Sequence, residues 1–166
     1  MGMNAFVSPV PFPAFDAVAP EVYREFYGMP IYVTVPTADL ERSVDFWVRG
    51  LGFIDLFTIP GRLIHLRRWA FQDVLLVTGE GADVPSAVSV AFAAVLGQLD
   101  EVAGRCEELV PGCTSGPVQQ PWNSDELTVI TPENARVILT AARPLDPDSA
   151  KAAELRELGI DVPASR

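Results

Sequence analysis

The chain has one histidine, and it sits in an alternating run, Leu63, His65, Arg67 and Trp69, whose spacing puts all four side chains on one face of a strand. An imidazole, a guanidinium and an indole side by side make a wall suited to a flat ligand, held by stacking and cation–π attraction. The same spacing equally suits a strand whose Arg and His are solvated or meet a partner, and the sequence leaves both readings open. Arg67-Arg68 by itself reads as a surface pair in an acidic chain. A second group lies in the run from Pro121 to Ile138. Trp122 offers a stacking platform. Glu126 can take a cationic group or pair with Arg136 across a hairpin, and Thr128 and Ile138 share its parity. Tyr32 and Thr34 on an early strand, with Phe57 on the next, complete the set.

Reactive combinations are missing from this inventory. One His and no Gly-flanked Ser give a nucleophile–base–acid relay no support, and no Gly-rich phosphate loop is present. The two cysteines, Cys106 and Cys113, lack metal-ligand spacing and read as free thiols in a reducing compartment, Cys106 as core filler. The expected chemistry is therefore non-covalent recognition.

A formal net charge of −10 over 166 residues repels nucleic-acid phosphates and favours a cationic small ligand, or simply keeps the chain in solution. No stretch approaches the ~20 apolar residues of a membrane span. Met1 to Ala19 has no basic start and is interrupted by Pro9, Pro11 and Pro13, so it is not read as a signal peptide. The expected compartment is the cytoplasm.

The elements that must position these residues centre on the stretch from Pro30 to Phe53. Ile31, Val33 and Val35 alternate with Tyr32 and Thr34, as a half-buried strand requires, and Pro36 ends it. Thr37 is the expected cap of a helix with the stripe Leu40, Val44, Trp47 and Leu51, stopped by Gly50 and Gly52. Strands are expected at Phe53–Ile59, Leu63–Trp69 and Val74–Thr78. After a linker from Gly79 to Pro85 the order recurs: a strand at Ala87–Val95, a helix at Leu99–Val110, and strands at Val118–Gln120, Glu126–Ile130 and Arg136–Ala141. The pattern β-α-β-β-β thus occurs twice, which predicts an α+β fold: two βαβββ modules in an open, curved, eight-stranded mixed sheet with helices on its convex side. The concave side is the natural ligand surface, with Tyr32, Thr34, Glu126, Thr128, Arg136 and Ile138 on it. Residues 1–28 read as an N-terminal arm lying on the domain or on a partner, with two helical turns at Pro20–Tyr27. Residues 29–144 read as the domain (modules 29–80 and 86–144). Residues 145–166 read as a helical appendage, its helix at Ser149–Leu158 capped by Asp148 and covering an edge.

Two motifs carry a resemblance. Asp39-Leu40 through Val44-Asp45-Phe46-Trp47 to Leu51-Gly52-Phe53, with Pro121-Trp122 through Glu126 to Thr131-Pro132-Glu133-Asn134, resembles the vicinal oxygen chelate superfamily of glyoxalases and bleomycin resistance proteins. The likeness covers about residues 30 to 143. It implies a divalent metal held by His and Glu from four strands, yet the corresponding positions are Tyr32, Leu75 or Val77, the run Ala87–Val90, and Ile138, which cannot form such a set. The chain is more similar to the superfamily's non-catalytic, antibiotic-sequestering branch. That branch places stacking aromatics where Phe57 and Trp122 stand, and it carries a further tryptophan where Val88 and Val90 stand here. The resemblance implies no cofactor, a homodimer, and a metal-free cleft sequestering an aromatic natural product or antibiotic. The alternatives are a lyase or dioxygenase of the same fold with an atypical ligand set, and a partner-binding regulatory module.

Overall fold

The computed structural model describes residues 8–27 and 31–162. Pro30, where the first strand was expected to begin, lies outside them. The first module runs β1 (Tyr32–Thr37), α1 (Leu40–Asp45), a π-helical turn (Phe46–Gly50), β2 (Ile54–Ile59), β3 (Leu63–Arg67) and β4 (Asp73–Thr78). The second runs β5 (Ser89–Ala93), a 3₁₀ turn (Leu96–Gln98), α2 (Leu99–Leu109), β6 (Thr114–Gln119), β7 (Ser124–Ile130) and β8 (Arg136–Ala142), with α3 (Ala150–Glu157) after it. The α+β class and the doubled βαβββ order are as the sequence predicts. Hydrogen bonding divides the eight strands into two open sheets of four, β1-β4-β3-β2 and β5-β8-β7-β6, with β1 parallel to β4 and β5 parallel to β8.

One core lies beneath both sheets. Val35, Leu66, Val74 and Leu76 from the first and Leu127, Val129, Val137 and Leu139 from the second join Trp47, Leu51, Phe53 and Phe92 in a continuous cluster. The rings of Phe53 and Phe92 meet edge to face at 5.3 Å across the two modules. Small residues allow the helices to approach: a Cβ on Gly50 would stand 3.1 Å from the Cys106 sulfur, and Arg105 Nε donates to the Gly50 carbonyl at 3.2 Å. Cys106 and Cys113 are both free and buried. Since the core faces look toward the helices, the alternate residues of every strand form the two opposite, open faces.

Several local expectations are corrected. The first helix is capped by Asp39, whose side chain accepts from Arg42 N, while Thr37 turns inward to the Ser43 hydroxyl at 2.8 Å. After one α turn it widens, with Leu51 N bonded to Phe46 O, so both Phe46 and Trp47 are buried where a regular helix presents one. Ser149 caps α3 in place of Asp148, accepting from Ala152 N. That helix buries Ala152 and Leu155 against Leu145 and Val162, a small cluster of its own. β6 starts four residues earlier than expected, at Thr114. A bulge between Ser115 and Val118 is formed there by Gly116-Pro117, and Gly116 (φ +102°) has no room for a Cβ, which would lie 2.7 Å from Glu126 O. Pro20–Tyr27 is not helical. Its backbone carbonyls are engaged by Arg67 of β3, which holds the segment open.

Candidate functional site

Strand register places the site residues. In the first sheet Tyr32 lies opposite Asp73, and Asp73 opposite Arg67; Thr34 lies opposite Leu75, then His65, then Phe57. Tyr32, Thr34, Phe57, His65 and Arg67 therefore share the open face, which settles the parity of the histidine strand. In the second sheet Ile138 lies opposite Thr128, and Glu126 opposite Thr140. Tyr32, Phe57 and Trp122 are about half exposed, at 50%, 48% and 54%.

The two faces are built differently. On the first, Asp73 collects His65 Nε2 at 2.6 Å, Arg67 Nε at 2.8 Å and the Tyr27 hydroxyl. Arg67, 1% exposed on its side chain, also donates to the Tyr23 and Glu25 carbonyls at 2.8 and 2.6 Å, with its guanidinium 4.2 Å from the centre of the Tyr27 ring. The arm so anchored covers this end of the face. Burial and the Asp73 hydrogen bond push the Tyr27 phenol up to about 12, so it stays a neutral donor.

Arg67 and Arg68 are thus buried, not a surface pair. Arg68 reaches across the modules to the Ala93 carbonyl and to Gln98 Oε1 at 2.9 Å, with Gln72 Oε1 at 3.2 Å and, among the described residues, no carboxylate partner. Burial lowers its pKa to about 10, the charge of Arg105 contributing second. Trp69 is corrected as well. β3 ends at Arg67, and Trp69 packs inward, 3% exposed, with the Arg68 guanidinium 4.5 Å above its ring. It cannot stack on a ligand.

On the second face Trp122 stands on the β6–β7 turn and donates Nε1 to Glu126 Oε1 at 3.0 Å. Among the described residues Glu126 meets Trp122, Ser124 and Thr140; Arg136 turns away to the Ser86 carbonyl at 2.8 Å, so the cross-hairpin ion pair is not formed. A half-buried carboxylate with neutral partners can take a cationic group. Between the edge strands β1 and β5 lies a cleft of about 510 Å³ walled by Val33, Val35, Val88, Val90 and Ala91, with Thr34 and Ser89 on its sides and charge confined to Glu133 and Arg136. The sequence reading missed this cleft and the role of Glu133, which accepts from Trp47 Nε1 at 2.5 Å and Ser43 Oγ at 2.9 Å and ties the last hairpin to the first helix.

Solved structures share this architecture. FosX, a fosfomycin resistance protein from Mesorhizobium loti, superposes with a TM-score of 0.57 at 17% identity, over 70% of this chain and 94% of that one. FosX from Listeria monocytogenes, complexed with Mn(II) and sulfate, gives 0.58 at 12% identity over 80% and 99%. A glyoxalase-related enzyme from Clostridium phytofermentans gives 0.54 at 17% over 72% and 99%.

The fold is that of the vicinal oxygen chelate superfamily.

No family model and no curated protein matches the sequence. The fold implies a divalent metal, and the donor set can be tested against it. By the sequence resemblance the corresponding places fall on Tyr32 of β1, Leu75 or Val77 of β4, the run Ala87–Val90 leading into β5, and Ile138 of β8. A phenol, a serine hydroxyl and apolar side chains, with no imidazole or carboxylate among them, do not fit such an ion. Among the described residues no group of three or more His, Cys, Asp or Glu is arranged to hold a metal. No helix among them is long and apolar enough to cross a membrane.

Proposed function

We propose that this chain binds a small, largely aromatic molecule without a metal and sequesters it. The observation that carries the reading is an apolar 510 Å³ cleft, together with Tyr32, Leu75 or Val77, the run Ala87–Val90 and Ile138 at the places where the resemblance puts metal ligands. A volume of this order suits a drug-sized ligand, and apolar walls with few polar groups favour affinity without providing a reacting group. Trp122, Phe57 and Glu126 do not line the cleft; on the open faces beyond it they offer exposed rings for stacking and a carboxylate for a cationic substituent. An antibiotic or other aromatic natural product meets this description. A second copy of the chain is the proposed partner, covering the free edges of β1 and β5. The two free thiols fit a reducing, cytoplasmic setting.

The rival reading, an enzyme with an atypical ligand set, draws on the contact between His65 and Asp73. One preparation separates the two. Protein purified without chelator is analysed for metals, then melted against a panel of aromatic natural products with and without a cationic group. Ligand binding to the folded state raises Tm, and the cationic compounds should raise it most. A stoichiometric divalent ion in the purified protein, or a panel that leaves Tm unmoved, ends the sequestration reading.

A further inference from the structure

The contacts around Tyr27 have the form of a receptor for a phenol. Its hydroxyl meets an acceptor and a donor at once, donating to Asp73 and accepting from Phe71 N at 2.9 Å. One side of its ring stacks on Phe71, with centroids 4.6 Å apart and planes 26° apart, and the Arg67 guanidinium approaches at 4.2 Å. The groups that meet the hydroxyl and this side of the ring belong to the β3–β4 hairpin, while Tyr23 of the arm itself stacks on the ring at 5.8 Å. Phe71 is held at φ 63°, a conformation that costs a bulky L residue energy, and that conformation aims its N–H at the phenol oxygen. A mere plug for an apolar hollow requires neither a two-sided hydroxyl contact nor a strained residue to make it.

We propose that Asp73, Phe71 and Arg67 form a phenol-binding subsite, that Tyr27 is its tethered occupant, and that a hydroxyaryl small molecule takes the place of Tyr27. The subsite stands apart from the β1–β5 cleft and does not depend on it. The phenol must arrive neutral, because a phenolate would face the Asp73 carboxylate. A tethered competitor acts at millimolar effective concentration, so a ligand that displaces it needs further contacts. His65 and Phe57, opposite one another, share the open face with Arg67, and Phe26 of the arm stands 6.4 Å from the His65 ring.

The test uses the full chain carrying Tyr27→Ala, which empties the subsite. p-Cresol should raise the Tm of this variant, and 4-methylanisole, which has the same ring but no O–H, should need at least tenfold more for the same shift, because it leaves a buried acceptor unpaired. Equal responses, or no response to either, overturn the proposal. Should Tyr27→Ala fail to fold, the wild-type chain gives a second readout. Millimolar p-cresol should speed tryptic cleavage after Arg24 as the arm is released, and 4-methylanisole should not; equal rates overturn the proposal again. Tyr27 of a second copy is the other source of the same group. Sedimentation distinguishes it: association that the variant shows with wild type but not with itself, and that p-cresol leaves intact, counts against the small-molecule ligand.

Discussion

The two sheets repeat one topology yet present opposite surfaces. Asp73 and Arg136 are each the first residue of the strand paired in parallel within its sheet, opposite Tyr32 and Ser89. On the first sheet that position is the hub of a buried cluster, with an arginine, a histidine and a tyrosine converging on one carboxylate. On the second it is an arginine bonded to one loop carbonyl, and the face around it holds Thr128, Ile138 and Glu126 half-buried, Glu126 with no cation partner among the described residues. Core residues cannot explain the difference, because both cores are apolar and continuous. The outward half of each alternating strand decides it. A buried charge needs a partner to be tolerated, so the first face closed over itself with the arm, while the second, carrying mostly neutral groups, stayed accessible.

The largest effect expected from that contrast comes from Asp73→Ala. It leaves Arg67 buried without its carboxylate, a loss of about 3–5 kcal/mol for a broken buried pair. The equivalent change on the other sheet, Arg136→Ala, should fall below about 1 kcal/mol, since only a hydrogen bond to Ser86 is lost. Urea unfolding of both variants measures the difference. Equal losses would show that the two faces are not energetically distinct.

The second module alone among the described residues holds thiols, and burial pushes Cys106 up to about 12 and Cys113 to about 11. A folded-state value above the ordinary 9.0 means that the folded state favours the neutral thiol. The contribution is complete below pH 9 and is lost as pH rises from 9 toward 12, each unit corresponding to about 1.4 kcal/mol. Cys106→Ala should flatten that stretch of the stability–pH curve. At pH 8 neither thiol of the native chain should react with iodoacetamide at an appreciable rate.

Arg68 couples the two halves, and its replacement tests whether they are held together by polar contacts as well as by the core. Arg68→Met keeps the length over Trp69 but leaves the two glutamine Oε1 atoms without their donor and the Ala93 carbonyl with Gln72 Nε2 at 3.4 Å. The removal of a buried hydrogen-bond partner costs about 1–3 kcal/mol, here offset by the charge no longer buried. A change of the denaturant slope along with the midpoint would mean that the modules unfold separately.

Much of this architecture is legible in the sequence because it depends on local alternation. Tyr32 and Thr34 against Val33 and Val35, or Thr128 and Ile138 against Val129 and Val137, declare their faces by period alone. The faces' contents were legible; what closes over them was not. That Arg67 is buried depends on carbonyls 42 and 44 residues earlier in the chain, and that Trp69 turns inward depends on Arg68 reaching the other module. Such long-range hydrogen bonds leave no periodic trace. The widening of the first helix at Phe46 is invisible for the same reason, since the Glu133 carboxylate that receives Trp47 lies 86 residues away.

The smallest stability effect, and the one that bears most on the open face, belongs to Trp122→Ala. Its ring is more than half exposed and its one hydrogen bond is to a neighbour on the same hairpin, so stability should change by no more than about 0.5 kcal/mol. Its loss should nonetheless weaken the response to aromatic ligands, by about 0.5–1.5 kcal/mol for one lost stacking contact, roughly a two- to twelvefold weaker Kd. Phe57→Ala on the first face serves as the comparison, since that ring is equally exposed but stands on the sheet whose far end the arm covers. If ligands enter from the second face, Trp122→Ala shifts Kd and Phe57→Ala shifts it less. Identical shifts would place the ligand across both sheets, and a shift only in Phe57→Ala would reverse the roles assigned to them.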